Sequence, residues 1–209
     1  MTKIEQLIGR YPELEACAAD IQAAFEILRG CYQGGGKVLV CGNGGSAADA
    51  EHIVGELMKG YLLKRSIPEQ VRAKLVSVNP EHGAYLAGAL QGALPAISLV
   101  SQSSLLSAIA NDTAADMGFA QQVYGYGRED DVLIGLSTSG NSQNVIYAMQ
   151  VARTLGMHTC ALTGPTGGAL KALCEVCICA PGENTPAVQE RHLPIYHTLC
   201  AMLEEEVFG

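Results

Sequence analysis

The sequence predicts an α/β fold, a three-layer sandwich in which helices flank a central parallel sheet. Three observations predict it. Short apolar runs rich in β-branched residues recur at 37–41, 131–136, 158–163 and 175–180; stretches of helical periodicity follow them; and two loops rich in glycine and serine, 42–46 and 137–142, each stand directly between a strand and a helix. Strands alternating with helices argue for a parallel sheet covered on both faces. Ligands of such sheets bind at the carboxyl ends of the strands, where both loops fall.

The chain opens with helix: Thr2 is placed to cap a short first segment and Pro12 to sit in the first turn of a second. Leu14, Cys17, Ile21, Phe25 and Leu28 then recur at helical spacing until Gly34-Gly35-Gly36 stops the run. Lys37 to Cys41 reads as a central strand, followed by the first loop and a helix from Ala47 to about Gly60. Asp131 to Leu136 is the next strand, with its loop and a helix from Asn144 to Leu155. His158 to Thr163 is a strand leading into glycine-rich residues 164–168 and a short helix, Glu175 to Ala180 a further strand, and Pro186 to Glu206 the last helix. Pro194 inside that helix cannot donate to the carbonyl of Glu190, which predicts a kink or local unwinding. Residues 62–94 interrupt the pattern with a short helix at 68–75 and an ambiguous stretch after it, too little chain to bury a core. The organisation is one domain, 1–209, with an N-terminal helical extension at about 1–34 and an insertion at about 62–94.

Of the 209 residues 48% are hydrophobic and 16% charged, the balance of a packed soluble protein. A net charge of −8 argues against a nucleic-acid surface, so an anionic ligand has to be attracted locally, by helix ends and oriented amides. Neither a leader peptide nor a membrane span is recognisable, and a cytoplasmic protein is expected. The eight cysteines are spread through apolar segments, as buried thiols in a reducing compartment would be. Cys174, Cys177 and Cys179 have spacing that could hold a metal. Strand alternation, however, puts Cys174 on the opposite face from the other two, and no second pair completes a tetrahedron, so core packing is the expectation.

In the first loop Gly42, Gly44 and Gly45 let the backbone turn sharply and expose its amides, the next helix start adds partial positive charge, and Ser46 offers a hydroxyl; together these make an anion site. Gly42, Gly44 and Ala47 also fit a weak dinucleotide fingerprint. The second loop decides between the two, because Ser137, Thr138, Ser139 and Ser142 gather four hydroxyls around Gly140, enough to saturate one terminal phosphate. A dinucleotide fold needs no such cluster and wants instead an acidic residue ending the second strand, which is missing. His52 and Glu56, four apart, share one face of the helix after the first loop. Gln189 and His197, eight apart on the last helix, lie about 80° around and roughly 12 Å along it, on neighbouring faces. His192 competes as a site residue but reads better as structural.

The segments Cys-Gly-Asn-Gly-Gly-Ser-Ala-Ala-Asp-Ala-Glu-His (41–52), Ala-Asn-Asp (110–112), Ser-Thr-Ser-Gly-Asn-Ser (137–142), Leu-Thr-Gly (162–164) and Gln-Glu-Arg-His (189–192) resemble the phosphoheptose isomerases of the sugar isomerase (SIS) domain family. That resemblance implies a flavodoxin-like or Rossmann-like sandwich and aldose–ketose isomerisation of sedoheptulose 7-phosphate through an enediol. It implies that Ser137, Ser139 and Ser142 grip the phosphate with Thr138 beside them, that Asn43, Gly44, Gly45 and Ser46 line the sugar, and that Asp112 contacts its hydroxyls. It assigns His52, Glu56, Gln189 and His197 to a Zn2+ site, with Gln189 also at the substrate, and makes Glu56 the catalytic base and His197 the acid. A homotetramer with N-terminal helices between subunits is implied as well, and neither nucleic acid nor membrane as a partner. Three departures stand out: Lys59-Gly60-Tyr61 replaces the family's Gly-Arg-Tyr, Pro186 replaces an aspartate, and residues 62–94 exceed the shorter members. Two rival readings keep the fold without the chemistry, a phosphosugar-binding or sensing protein and a replication-initiator-binding one; the presence of Glu56 and His197 favours the enzyme.

Overall fold

A computed structural model describes residues 1–209. Helix α1 (Lys3–Arg10) starts at a capping box, in which Thr2 accepts from the Glu5 amide while the Glu5 side chain accepts from that of Thr2. Pro12 opens a 3-10 segment, Pro12–Cys17, that runs into α2 (Ala18–Gln33). The first strand, β1 (Val38–Gly42), is buried along its whole length and feeds α3 (Gly45–Met58). Helices α4 (Glu69–Val78) and α5 (Gly83–Ala89) form the interruption. They are followed by β2 (Ala96–Ser98), α6 (Ser103–Asp112) and α7 (Gly118–Tyr126), which carry no clear sequence signal. Strand β3 (Val132–Ser137) leads into α8 (Gln143–Thr154), then come β4 (His158–Thr163), β5 (Val176–Cys179) and α9 (Thr185–Phe208).

The five strands are all parallel, in the order β2-β1-β3-β4-β5. Chain direction across the sheet reverses between β1 and β3, so a crevice opens there at the carboxyl ends. Gly42 pairs with Leu136, so the first loop leaves β1 level with the start of the second. Side chains alternate between two cores. Val38, Val40, Val132 and Ile134 face α2, α3 and α9, while Leu39, Cys41 and Leu133 face α7 and α8.

Helix α9 continues through Pro194 without the expected unwinding. The carbonyl that Pro194 leaves without its donor belongs to exposed Glu190, and Ile195, Tyr196 and Leu199 hold the helix against the core on the other side. Cys174 also departs from expectation: it precedes β5, so strand alternation does not govern it, and it packs against the same core as Cys177. All eight cysteines are unpaired. Burial, the leading cause in each case, pushes the Cys17 and Cys31 thiols up to about 11 and Cys41 to about 12, which leaves them protonated packing groups.

Residues 62–94 leave and rejoin the fold at one tied neck. The Gly60 amide donates to Gln91 Oε1, the Gly92 amide to the Arg65 carbonyl and the Leu94 amide to the Leu57 carbonyl. Beyond the neck, α4 and α5 pack on each other and α4 buries none of its residues. Inside the neck lies a buried ion pair: Arg65 Nε donates to Glu204 Oε1 at 2.7 Å, with both side chains at most 1% exposed. The guanidinium also donates to the Leu57 and Glu56 carbonyls and lies over the Phe208 ring, while the carboxylate accepts from the Tyr61, Leu62 and Leu63 amides. The end of α3 is thereby fastened to the end of α9.

Because the pair is fully desolvated and every partner is satisfied, Glu204→Ala is expected to cost about 3–5 kcal/mol in urea unfolding. Burial works to raise the Glu204 pKa, but the Tyr61 and Leu62 amides and Arg65 outweigh it and hold the carboxyl below its ordinary 4.5. The stabilisation is therefore complete above about pH 4.5 and drains away as the pH falls through the depressed folded value. The alanine variant should lose that part of the acid sensitivity in the same titration.

Candidate active site

At the second loop, Gly140 takes φ +66°, a left-handed turn that packs it against Gly167, and this lets Ser137, Ser139 and Ser142 fold inward. Ser137 Oγ stands 2.9 Å from Ser142 Oγ and 3.4 Å from Ser139 Oγ, and Ser139 Oγ accepts from the Asn141 amide. Asn141 braces the loop from behind, donating to the Ser139 carbonyl and accepting from the Ala169 amide. Ser142 is the N-cap of α8, so three hydroxyls converge where a helix start presents free amides, an arrangement that suits a phosphate. Thr138 follows Ser137 at the rim, half-buried.

The first loop faces this cluster across the crevice. Asn43 and Asn144 exchange two amide hydrogen bonds, each 2.8 Å, and pin one loop to the other. Gly44 caps α3, and Ser46 is buried in its first turn. Gly45 has no room for a side chain, because the amide group of Gln189 from α9 occupies the place a Cβ would take. Gln189 Nε2 donates to Asp49 Oδ2 at 3.2 Å. Asp49, 9% exposed, also accepts from the Tyr196 hydroxyl at 3.2 Å, and that hydroxyl lies 3.0 Å from His52 Nδ1.

One turn along α3, His52 Nε2 lies 3.1 Å from Glu56 Oε1 and 3.4 Å from His197 Nε2. The other carboxylate oxygen, Glu56 Oε2, takes Lys59 Nζ at 3.5 Å. Lys59 meets the carboxylate as a single point contact and not as a fork. The His197 pKa is lowered, first by burial and then by neighbouring His52, with Glu56 opposing. His192 is fully buried with its Nε2 3.1 Å from the Thr163 carbonyl, and burial lowers its pKa, so it is a neutral structural group.

The structure therefore brings His52, Glu56 and His197 together and places Gln189 one turn away, on Asp49. For a zinc ion with bonds of about 2.0–2.1 Å, ligand atoms in a tetrahedron lie about 3.3 Å apart, and both contacts of His52 Nε2 are near that edge length. Two imidazoles and a carboxylate suit zinc as donors, although no three His, Cys, Asp or Glu side chains are arranged to hold a metal ion. Asp112 ends α6, exposed and bonded to Asn111, and no hydrogen bond joins it to either loop. Sequence reasoning missed Asp49, Tyr196 and Asn144. Asp49 was visible three residues before His52, but its partners on α9 lie 140 and 147 positions away.

A family model described as SIS domain matches residues 4–79 and 82–164. The phosphoheptose isomerase of Akkermansia muciniphila is 36% identical over 207 residues, covering 98% of this chain and 96% of that protein. Among solved structures, the phosphoheptose isomerase GmhA of Neisseria gonorrhoeae superposes with a TM-score of 0.69 at 32% identity, covering 96% of this chain and 98% of the other. A phosphoheptose isomerase from Francisella tularensis superposes at 0.73 with 28% identity, covering 98% and 100%.

Ser139→Ala removes one of three converging hydroxyls at an exposed position. Binding of inorganic phosphate, followed by calorimetry, should weaken roughly tenfold, about 1.4 kcal/mol for one hydrogen bond to an anion, with the thermal midpoint little changed. Unchanged affinity would remove this loop from the anion site.

Proposed function

The chain belongs to the SIS domain family, and from that membership and the geometry of the site we infer that it is an aldose–ketose isomerase converting sedoheptulose 7-phosphate to D-glycero-D-manno-heptose 7-phosphate. The observation that carries this reading is the run of contacts that leads from the α8 start, where the hydroxyl cluster lies, through the first loop to the acid–base group. Asn144 meets Asn43, Gly45 meets Gln189, Gln189 meets Asp49, and Asp49 meets Tyr196 beside His52, Glu56 and His197. A phosphate fixed at one end of that chain of contacts sets the sugar's far end against the other.

The reaction needs a base, an acid and a stabiliser of oxygen charge. Ser137, Ser139 and Ser142 hold the phosphate with Thr138 beside them, and Asn43, Gly44, Gly45, Ser46, Gln189 and Asp112 are assigned to the sugar. Glu56 takes a proton from C1 of the ketose, which leaves an enediolate. His197 delivers a proton to C2, the hydroxyl proton of C1 moves to the oxygen on C2, and Glu56 gives up its proton to solvent while His197 regains one from it, so atoms and charge balance. Carbon C1 is oxidised and C2 reduced within one molecule.

A zinc ion held by His52, Glu56, Gln189 and His197 is part of the proposal, supported by the 3.1 Å and 3.4 Å contacts around His52 Nε2. When bound it would supply Lewis-acid stabilisation of the enediolate oxygens. The two oxygens of Glu56 are differently placed, Oε1 toward His52 and Oε2 toward Lys59, so one can face an ion while the other takes the proton. We also propose a cytoplasmic homotetramer. Eight unpaired thiols suit a reducing compartment. The cleft of about 310 Å³ between α1 and α9, edged by exposed Leu62 and Leu193, is a surface that subunit packing would cover.

Incubation with sedoheptulose 7-phosphate, with and without added zinc, should yield the aldose by NMR. Glu56→Gln should reduce turnover by at least about 10²-fold, the scale of a lost general base, while substrate binding persists. Turnover retained in Glu56→Gln would overturn the base assignment.

A further inference from the structure

Asp49 and Tyr196 take no part in the reaction above, yet both are nearly fully buried and both aim their polar atoms at residues that do. Their hydrogen bonds have a direction. A carboxylate only accepts, so the Tyr196 hydroxyl spends its single proton on Asp49 Oδ1. The same hydroxyl, 3.0 Å from His52 Nδ1, can then only accept there, and His52 must carry its proton on Nδ1. Its Nε2 is left with a lone pair facing Glu56 Oε1 and His197 Nε2. The second carboxylate oxygen settles the Gln189 amide likewise: Nε2 must point at Asp49, which fixes Oε1 as the other end of an amide group that lies beside Gly45.

We propose that Asp49 and Tyr196 are positioning residues, a buried carboxylate and a hydroxyl that fix the tautomer of His52, so that its Nε2 keeps an electron pair, and the orientation of the Gln189 amide, so that its Oε1 is the end not bonded to Asp49. The pair rests on the isomerase reading insofar as His52 and Gln189 act in that site. It explains why two acceptors, His52 Nε2 and a carboxylate oxygen, stand at 3.1 Å: the relay prepares them for a cation or a shared proton instead of for each other. Without the relay, a neutral imidazole could place its proton on Nε2 and bond to Glu56, which would occupy the base and close the place where donors converge.

The test is read on metal-free, substrate-free protein labelled with 15N-histidine; five histidines keep the spectrum assignable. Long-range proton–nitrogen correlation at a pH where His52 is neutral should show it protonated on Nδ1, and Tyr196→Phe should move the proton to Nε2. Asp49→Asn, which keeps the shape but offers one acceptor where two are needed, should disturb His52 as well. In turnover assays both variants should lose about 10–100-fold in kcat, the usual effect of residues that orient ligands, with KM changed far less because the serine loop is untouched. His52 protonated on Nε2 in the parent protein, or a tautomer indifferent to Tyr196→Phe, would overturn the proposal. Since the spectrum requires neither zinc nor turnover, a parent protein that shows the relay but isomerises nothing would instead count against the isomerase reading alone.

Discussion

Everything chemical in this molecule depends on the packing of α3 against α9 on one face of the sheet. Helix α3 begins at the first loop and carries Asp49, His52 and Glu56; α9 brings Gln189, Tyr196 and His197 from the far end of the chain. Neither helix holds a working set alone. Two buried anchors fix their register, Asp49 with Gln189 and Tyr196 near the start of α3 and Arg65 with Glu204 at its end. The second anchor also satisfies the carbonyls of Glu56 and Leu57, so the turn that bears the base is held from behind.

The sheet supplies the other half of the constraint. Because β1 and β3 are neighbours whose connections run in opposite directions, their following loops face each other across one crevice. The hydroxyl cluster belongs to the β3 side and the acid–base group to the β1 side, and Asn43 with Asn144 sets the distance between them. A protein of net charge −8 thus attracts a phosphate by local means, helix starts and hydroxyls, instead of by its overall field.

How much of this could be read in the chain depends on the range of the interactions. Strand β4 matches its expected limits, and β1, β3 and β5 differ by one residue at each end, because buried parallel strands announce themselves as apolar runs. The two loops were legible because glycine and serine between strand and helix have few other uses. Strand β2, three residues at the sheet edge, is too short to show a period, and α6 and α7 lack strong caps. Unwinding at Pro194 did not follow, because the packing that holds α9 outweighs one lost backbone bond. The anchors were invisible for a simpler reason: Arg65 and Glu204 are 139 positions apart, and a charged residue looks solvated until its partner is known.

The central claim is that one site, gripping the phosphate at one end, moves a proton between neighbouring carbons through an enediol. Running the reaction from sedoheptulose 7-phosphate in D2O and examining the product by NMR tests it most directly. Proton loss to Glu56 and delivery by His197 predict solvent deuterium at C2 of the heptose. A product that carries only hydrogen at C2, transferred intact from C1, would contradict it.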